Sequence, residues 1–110
     1  MEVVDILKHF GFKKQTKKFM EEAGELHEAL IEYRLFKEEY ADAIMDGTIT
    51  IEDADRLEKL RFNVVTETAD VLLLINQFLG ELEITDSEVN EEMNYKFRRT
   101  VEKYEIGRED

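Results

Sequence analysis

Apolar residues recur along this chain at helical spacing from one end almost to the other. Val3, Val4, Ile6, Leu7 and Phe10 keep to one helix face and Gly11 follows as a stop signal, so a short helix is expected over about Glu2 to Phe10. From about Lys13 the stripe resumes as Phe19, Ala23, Leu26, Leu30, Tyr33, Tyr40, Ala41 and Ile44, and it ends at the turn pair Asp46-Gly47. Thr48 or Thr50 can cap the next helix, with Asp53 three residues beyond Thr50. Leu57, Leu60, Val64, Val71, Leu74, Ile75 and Phe78 carry that helix to about Leu82. Thr85 and Glu88 have the spacing of a capping box for a last helix to about Tyr104, and Gly107 to Asp110 read as a frayed tail. Two helices of roughly thirty residues, each about 45 Å long at about 1.5 Å per residue, are expected to pair as an antiparallel hairpin.

Composition agrees with helices. The 110 residues include no proline and five glycines, with 43% hydrophobic and 38% charged side chains, which suits long helices better than turn-rich sheets. The expected fold is all-α and four-helix-bundle-like, one domain over residues 1–110 built on the long antiparallel hairpin. A chain of this length buries a limited core, and its apolar stripes exceed what two short helices can cover. Completion by oligomerisation, as a homodimer or homotetramer, is therefore expected.

Charge narrows the range of partners. With 27 acidic and 15 basic residues the formal charge is −12, a field that repels nucleic acid and anionic membrane surfaces. Cysteine is absent, which removes disulfide and thiol chemistry and fits a cytoplasmic protein. The N-terminal MEVVDILKHF is acidic and lacks the long apolar core of a signal peptide or anchor.

The acidic residues are unusual in their phase. Carboxylates on helices usually face solvent, yet Glu67 lies three residues after Val64 and four before Val71, inside the apolar stripe, and Asp70 sits at the edge of that stripe. On the preceding long helix Glu22 lies three after Phe19 and four before Leu26, with Glu25 on the same flank, whereas Glu21 and Glu28 point further outward. Glu22, Glu25, Glu67 and Asp70 thus border one helix–helix contact as two i, i+3 pairs. Uncompensated, they would repel across a partly desolvated seam or take up protons. A hard divalent cation such as magnesium, with manganese as a possible substitute, resolves the conflict because it prefers oxygen ligands. A di-iron carboxylate site fits poorly, since neither His9 nor His27 stands three residues after a glutamate.

EEAGE (Glu21 to Glu25) followed by ETAD (Glu67 to Asp70) resembles the E-E-x-x-E and E-x-x-D signature of the MazG-type all-α nucleoside triphosphate pyrophosphohydrolases. NYKFRR (Asn94 to Arg99) is similar to the N-x-K-F-x-R segment on the following helix of that family, matched at Asn94, Lys96, Phe97 and Arg99, and Gln15 matches a further family position. The resemblance spans roughly residues 12 to 103. It implies magnesium-dependent cleavage of a nucleoside or deoxynucleoside triphosphate between the α and β phosphates, giving monophosphate and pyrophosphate. By the same resemblance Glu22, Glu25, Glu67 and Asp70 would hold the metal and Lys96 and Arg99 would meet the phosphates, with Gln15 and Asn94 as further substrate-binding positions. Glu21 is the candidate catalytic group, orienting the attacking water. Metal and basic groups suit this chemistry because they neutralise charge at the reacting phosphorus.

Other readings remain open. The segment between the two acidic motifs, Leu26 to Thr66, is longer than in the shorter members of that family, which leaves its tip at Asp46-Gly47 as a dimer arm, lid or recognition element. Lys96, Arg98 and Arg99 could instead serve the helix dipole or surface ion pairs. Lys13, Lys14, Lys17 and Lys18 could attract a triphosphate or form a solvated helix start. A phosphoribosyl-ATP pyrophosphohydrolase uses a similar acidic signature, and a non-catalytic interaction protein could share the frame.

Overall fold

The computed structural model describes residues 1–107, all of whose regular elements are α-helices. Residues 108–110 of the expected frayed tail lie outside the described residues. Helix α1 (Val3–Phe10) starts at a capping box in which Glu2 N–H donates to Asp5 Oδ2 at 2.7 Å. It ends at Gly11, whose φ of 90° few other residues adopt, and α2 (Phe12–Glu39) begins directly after.

The expected single helix up to Asp46 is two helices, α2 and the short α3 (Ala41–Asp46). Tyr40 leaves helical geometry at φ −102° and ψ 15°, yet its N–H still donates to Phe36 O and its carbonyl accepts from Ile44 N–H. The hydrogen-bond ladder therefore passes through the break, beside the Phe36–Tyr40 ring contact at 4.6 Å. Gly47 closes α3 in the left-handed region, and Asp46 Oδ1 accepts from Thr48 N–H at 3.0 Å. Thr50 caps α4 (Ile51–Glu81) by accepting from Asp53 N–H at 3.1 Å, and Thr85 with Glu88 forms the capping box of α5 (Asp86–Tyr104).

α2 packs along α4 and α1 lies across both, mainly on α4. Gln15 pairs with Gln77, while Glu22 lies beside Glu67 and Asp70, so the two long helices run antiparallel as expected. Among the described residues Leu7, Leu60, Val71 and Leu74 are the buried apolar side chains, and Phe78 meets Phe12 and Phe19 edge-on. Gly80 permits the crossing of α1, because a Cβ there would stand 3.2 Å from Val4 Cβ. On α2 the seam runs through Leu26, Ala29, Tyr33 and Phe36, and Leu30 is 47% exposed. A step of three at that point holds the narrow seam of paired long helices better than a step of four.

α5 packs against no other helix among the described residues. It presents Met93, Tyr95, Phe97 and Tyr104 to solvent, with Phe97 69% exposed. The radius of gyration is 18.9 Å, against about 13 Å for a compact chain of this length. No helix among the described residues is long and apolar enough to cross a membrane.

Candidate functional site

The antiparallel pairing of α2 with α4 brings the two acidic motifs to one level of the seam. One carboxylate oxygen from each of Glu22, Glu67 and Asp70 lies within 4.8 Å of the others. Their positions follow from helix register: Glu22 occupies a stripe position between Phe19 and Leu26, and Glu67 one between Val64 and Val71. Glu22 and Glu67 are half-buried, whereas Asp70 and Glu25 are exposed at the rim.

Oε2 of Glu22 and Oε2 of Glu67 are both buried without a hydrogen-bond partner. Burial raises the pKa of each above the ordinary glutamate value, and Glu25 beside them, followed by Asp70, raises both further. Three of the four expected metal ligands thus converge, and Glu25 acts on the cluster electrostatically from its flank. Unpartnered carboxylate oxygens in a seam cost free energy as anions. Two such oxygens beside a third carboxylate are a donor set that fits a hard divalent cation.

Two clefts open beside the cluster. One, of about 380 Å³, is lined by Phe10, Lys14, Gln15, Lys17, Lys18, Glu21 and Glu22. The other, of about 220 Å³, reaches between α1, α2 and α4 and shares Phe10, Gln15, Lys18 and Glu22 with the first. Gln15 is buried, and its Nε2 donates to Oε1 of Gln77 at 2.9 Å. Glu21 is exposed on the rim of the larger cleft, where it can approach a water without being held by a protein partner.

Asn94, Lys96 and Arg99 are not brought to this cluster within one chain, because they lie on α5, which stands apart from the hairpin. Lys96 and Arg99 line a shallow depression of about 260 Å³ with Thr100, Lys103 and Tyr104. Lys103 extends the expected basic pair to a row of three cations at i, i+3 and i+7. Gln77 was not expected at the site; its available signal was a polar side chain three residues after Leu74, on the face that carries Asp70. Lys18, on the opposing helix, became a cleft residue through the crossing of α1, which spacing alone does not reveal.

Comparison with protein-family models, with curated proteins and with solved structures finds no match to this chain.

Proposed function

We propose that this chain is a divalent-cation-dependent nucleoside triphosphate pyrophosphohydrolase, releasing a nucleoside monophosphate and pyrophosphate, and that it works in the cytoplasm as a homodimer or homotetramer. The observation that carries the reading is the pair of buried, unpartnered carboxylate oxygens on Glu22 and Glu67, with an oxygen of Asp70 within 4.8 Å. Magnesium or manganese held by Glu22, Glu67 and Asp70, with Glu25 at the flank, would supply neutralisation of phosphate charge and make a water easier to deprotonate.

The chain's own groups take the remaining roles. Lys14, Lys17 and Lys18 line the wider cleft and offset the net charge of −12 where an anionic triphosphate must enter. Glu21, exposed on that rim, orients the attacking water and accepts its proton as the oxygen adds to the α phosphorus and the bond to the pyrophosphate oxygen breaks. Lys96 and Arg99 meet the phosphates from the α5 of a second copy, since their own α5 stands away from their own cluster.

Surface area supports the assembly. The chain exposes 9236 Å², against about 6,300 Å² for a compact monomer of its mass of 13.0 kDa. If two copies each buried that excess of about 2,900 Å², the pair would bury about 5,800 Å² in total, the size of a large obligate interface. Release of pyrophosphate over a panel of ordinary and modified triphosphates, with magnesium and with chelator, tests the activity. Turnover only with metal is expected, and no turnover of any triphosphate with magnesium would instead favour a non-catalytic helical interaction protein.

A further inference from the structure

The smaller cleft contains a feature that a metal site does not require. Gln15 and Gln77 are 3% and 2% exposed, and they form one mutual hydrogen bond in a seam that is otherwise largely apolar. An amide offers two N–H donors and a carbonyl with two lone pairs. Among the described residues neither glutamine makes a further side-chain hydrogen bond, and both line the cleft of about 220 Å³. Reversing both amides together preserves their bond and leaves the same remainder, one carbonyl beside one amino group. Unlike Oε2 of Glu22 and Glu67, the spare carbonyl and amino group are not sealed from solvent, so they are open to a group in the cleft that both glutamines line.

The surroundings define what the pair can read. Ile6, Phe10, Leu73 and Leu74 give the cleft apolar walls, and Lys18, Glu22 and Asp70 add charged groups to its lining. Its volume falls below the roughly 300 Å³ at which pockets for whole drug-sized ligands begin, so it suits one small part of a ligand. In the metal-free chain Glu22 and Asp70 face a single lysine, Lys18, in this lining, which disfavours phosphate there. A nucleobase meets every condition, being flat, apolar on its faces, and edged by a donor next to an acceptor, the pattern that glutamine amides pair with.

We propose that this cleft is a base-recognition subsite in which the Gln15–Gln77 pair reads the hydrogen-bonding edge of the nucleobase. The base stacks against Phe10, and the sugar and phosphates run past Lys18 and Glu22 into the wider cleft. The assignment rests on the pyrophosphohydrolase reading for its ligand class but not for its test.

In the full chain, the side-chain amide NMR signals of Gln15 and Gln77 are followed while each of the four common nucleoside monophosphates, and ribose 5-phosphate as a base-free control, is added. At least one monophosphate is expected to move both signals, with ribose 5-phosphate leaving them in place. Gln77→Leu should weaken binding of that monophosphate about tenfold or more, the effect of one lost hydrogen bond of about 1.4 kcal/mol, and leave ribose 5-phosphate binding unchanged. Should the variant not fold, the titration of the unaltered protein decides alone. Pyrophosphate release with unmoved amide signals, or signals that ribose 5-phosphate moves equally, overturns the subsite and leaves the activity standing. Shifted amides without turnover of any triphosphate sustain the subsite and overturn the activity, while absence of both overturns both.

Discussion

Glu22 on α2 and Glu67 on α4 each turn one carboxylate oxygen, Oε2, into the seam between the helices, where neither finds a hydrogen-bond donor. The sequence around them supplies good helix caps and apolar periodicity, so the unsatisfied pair is imposed by a fold that the rest of the chain strongly favours. Such local conflict inside a consistent frame marks the places where function sets the residue.

The first consequence is an inverted pH dependence in metal-free protein. Burial and the neighbouring carboxylates raise the pKa of Glu22 and Glu67, so the folded chain keeps protons that the unfolded chain has lost. Stability therefore falls as pH rises above the ordinary value of 4.5 and through the raised values. Thermal melts in chelator from pH 5 to pH 7 should show a declining Tm, with a shallower decline in Glu67→Gln. Added magnesium should reverse the trend, because its ligands must be deprotonated.

Assembly gives a second. In the proposed assembly a partner copy covers the excess of about 2,900 Å² over a compact monomer and the α5 that packs on no other helix among the described residues. Sedimentation at micromolar concentration should show a dimer or tetramer. A clean monomer would remove both the proposed assembly and the route by which Lys96 and Arg99 reach a cluster.

Complementation tests that route. Lys96→Met and Arg99→Met should raise KM or lower kcat with little change in stability, since both side chains are exposed and free of intrachain ion pairs among the described residues. Each should be inactive or weakened alone, as should Glu67→Gln. Mixing Arg99→Met with Glu67→Gln and allowing subunits to exchange should restore activity to about a quarter of the parental sites if the dimer shares its sites in trans. No recovery after demonstrated exchange would place the basic residues and the carboxylates on one chain.

Much of this architecture was legible in residue spacing. The caps at Thr50 and Thr85, the stop at Gly11 and the turn at Asp46-Gly47 are local chemistry, and each stands where the sequence places it. Glu22, Glu67 and Asp70 converge because their phase on two antiparallel helices decides their meeting. Tyr40 interrupts the first long helix without a proline or glycine to announce it, and the exposure of Leu30 depends on how the seam drifts along a straight helix. The detachment of α5 was not legible, since a good capping box specifies where a helix starts but not its partner. Gln77 gained its role only through tertiary pairing with Gln15.

The central claim is that the seam carboxylates form a cation site, and melting curves of the parent and Glu67→Gln with chelator and with magnesium test it most directly. Without metal the near-isosteric amide should leave the variant as stable as the parent or more so, because it removes one of several mutually repelling charges. Magnesium should stabilise the parent by an amount that grows with its concentration, about 2.7 kcal/mol at one hundred times the dissociation constant, and that gain should shrink sharply in the variant. A large fall in stability of Glu67→Gln in chelator, with no magnesium dependence in either protein, would contradict the claim.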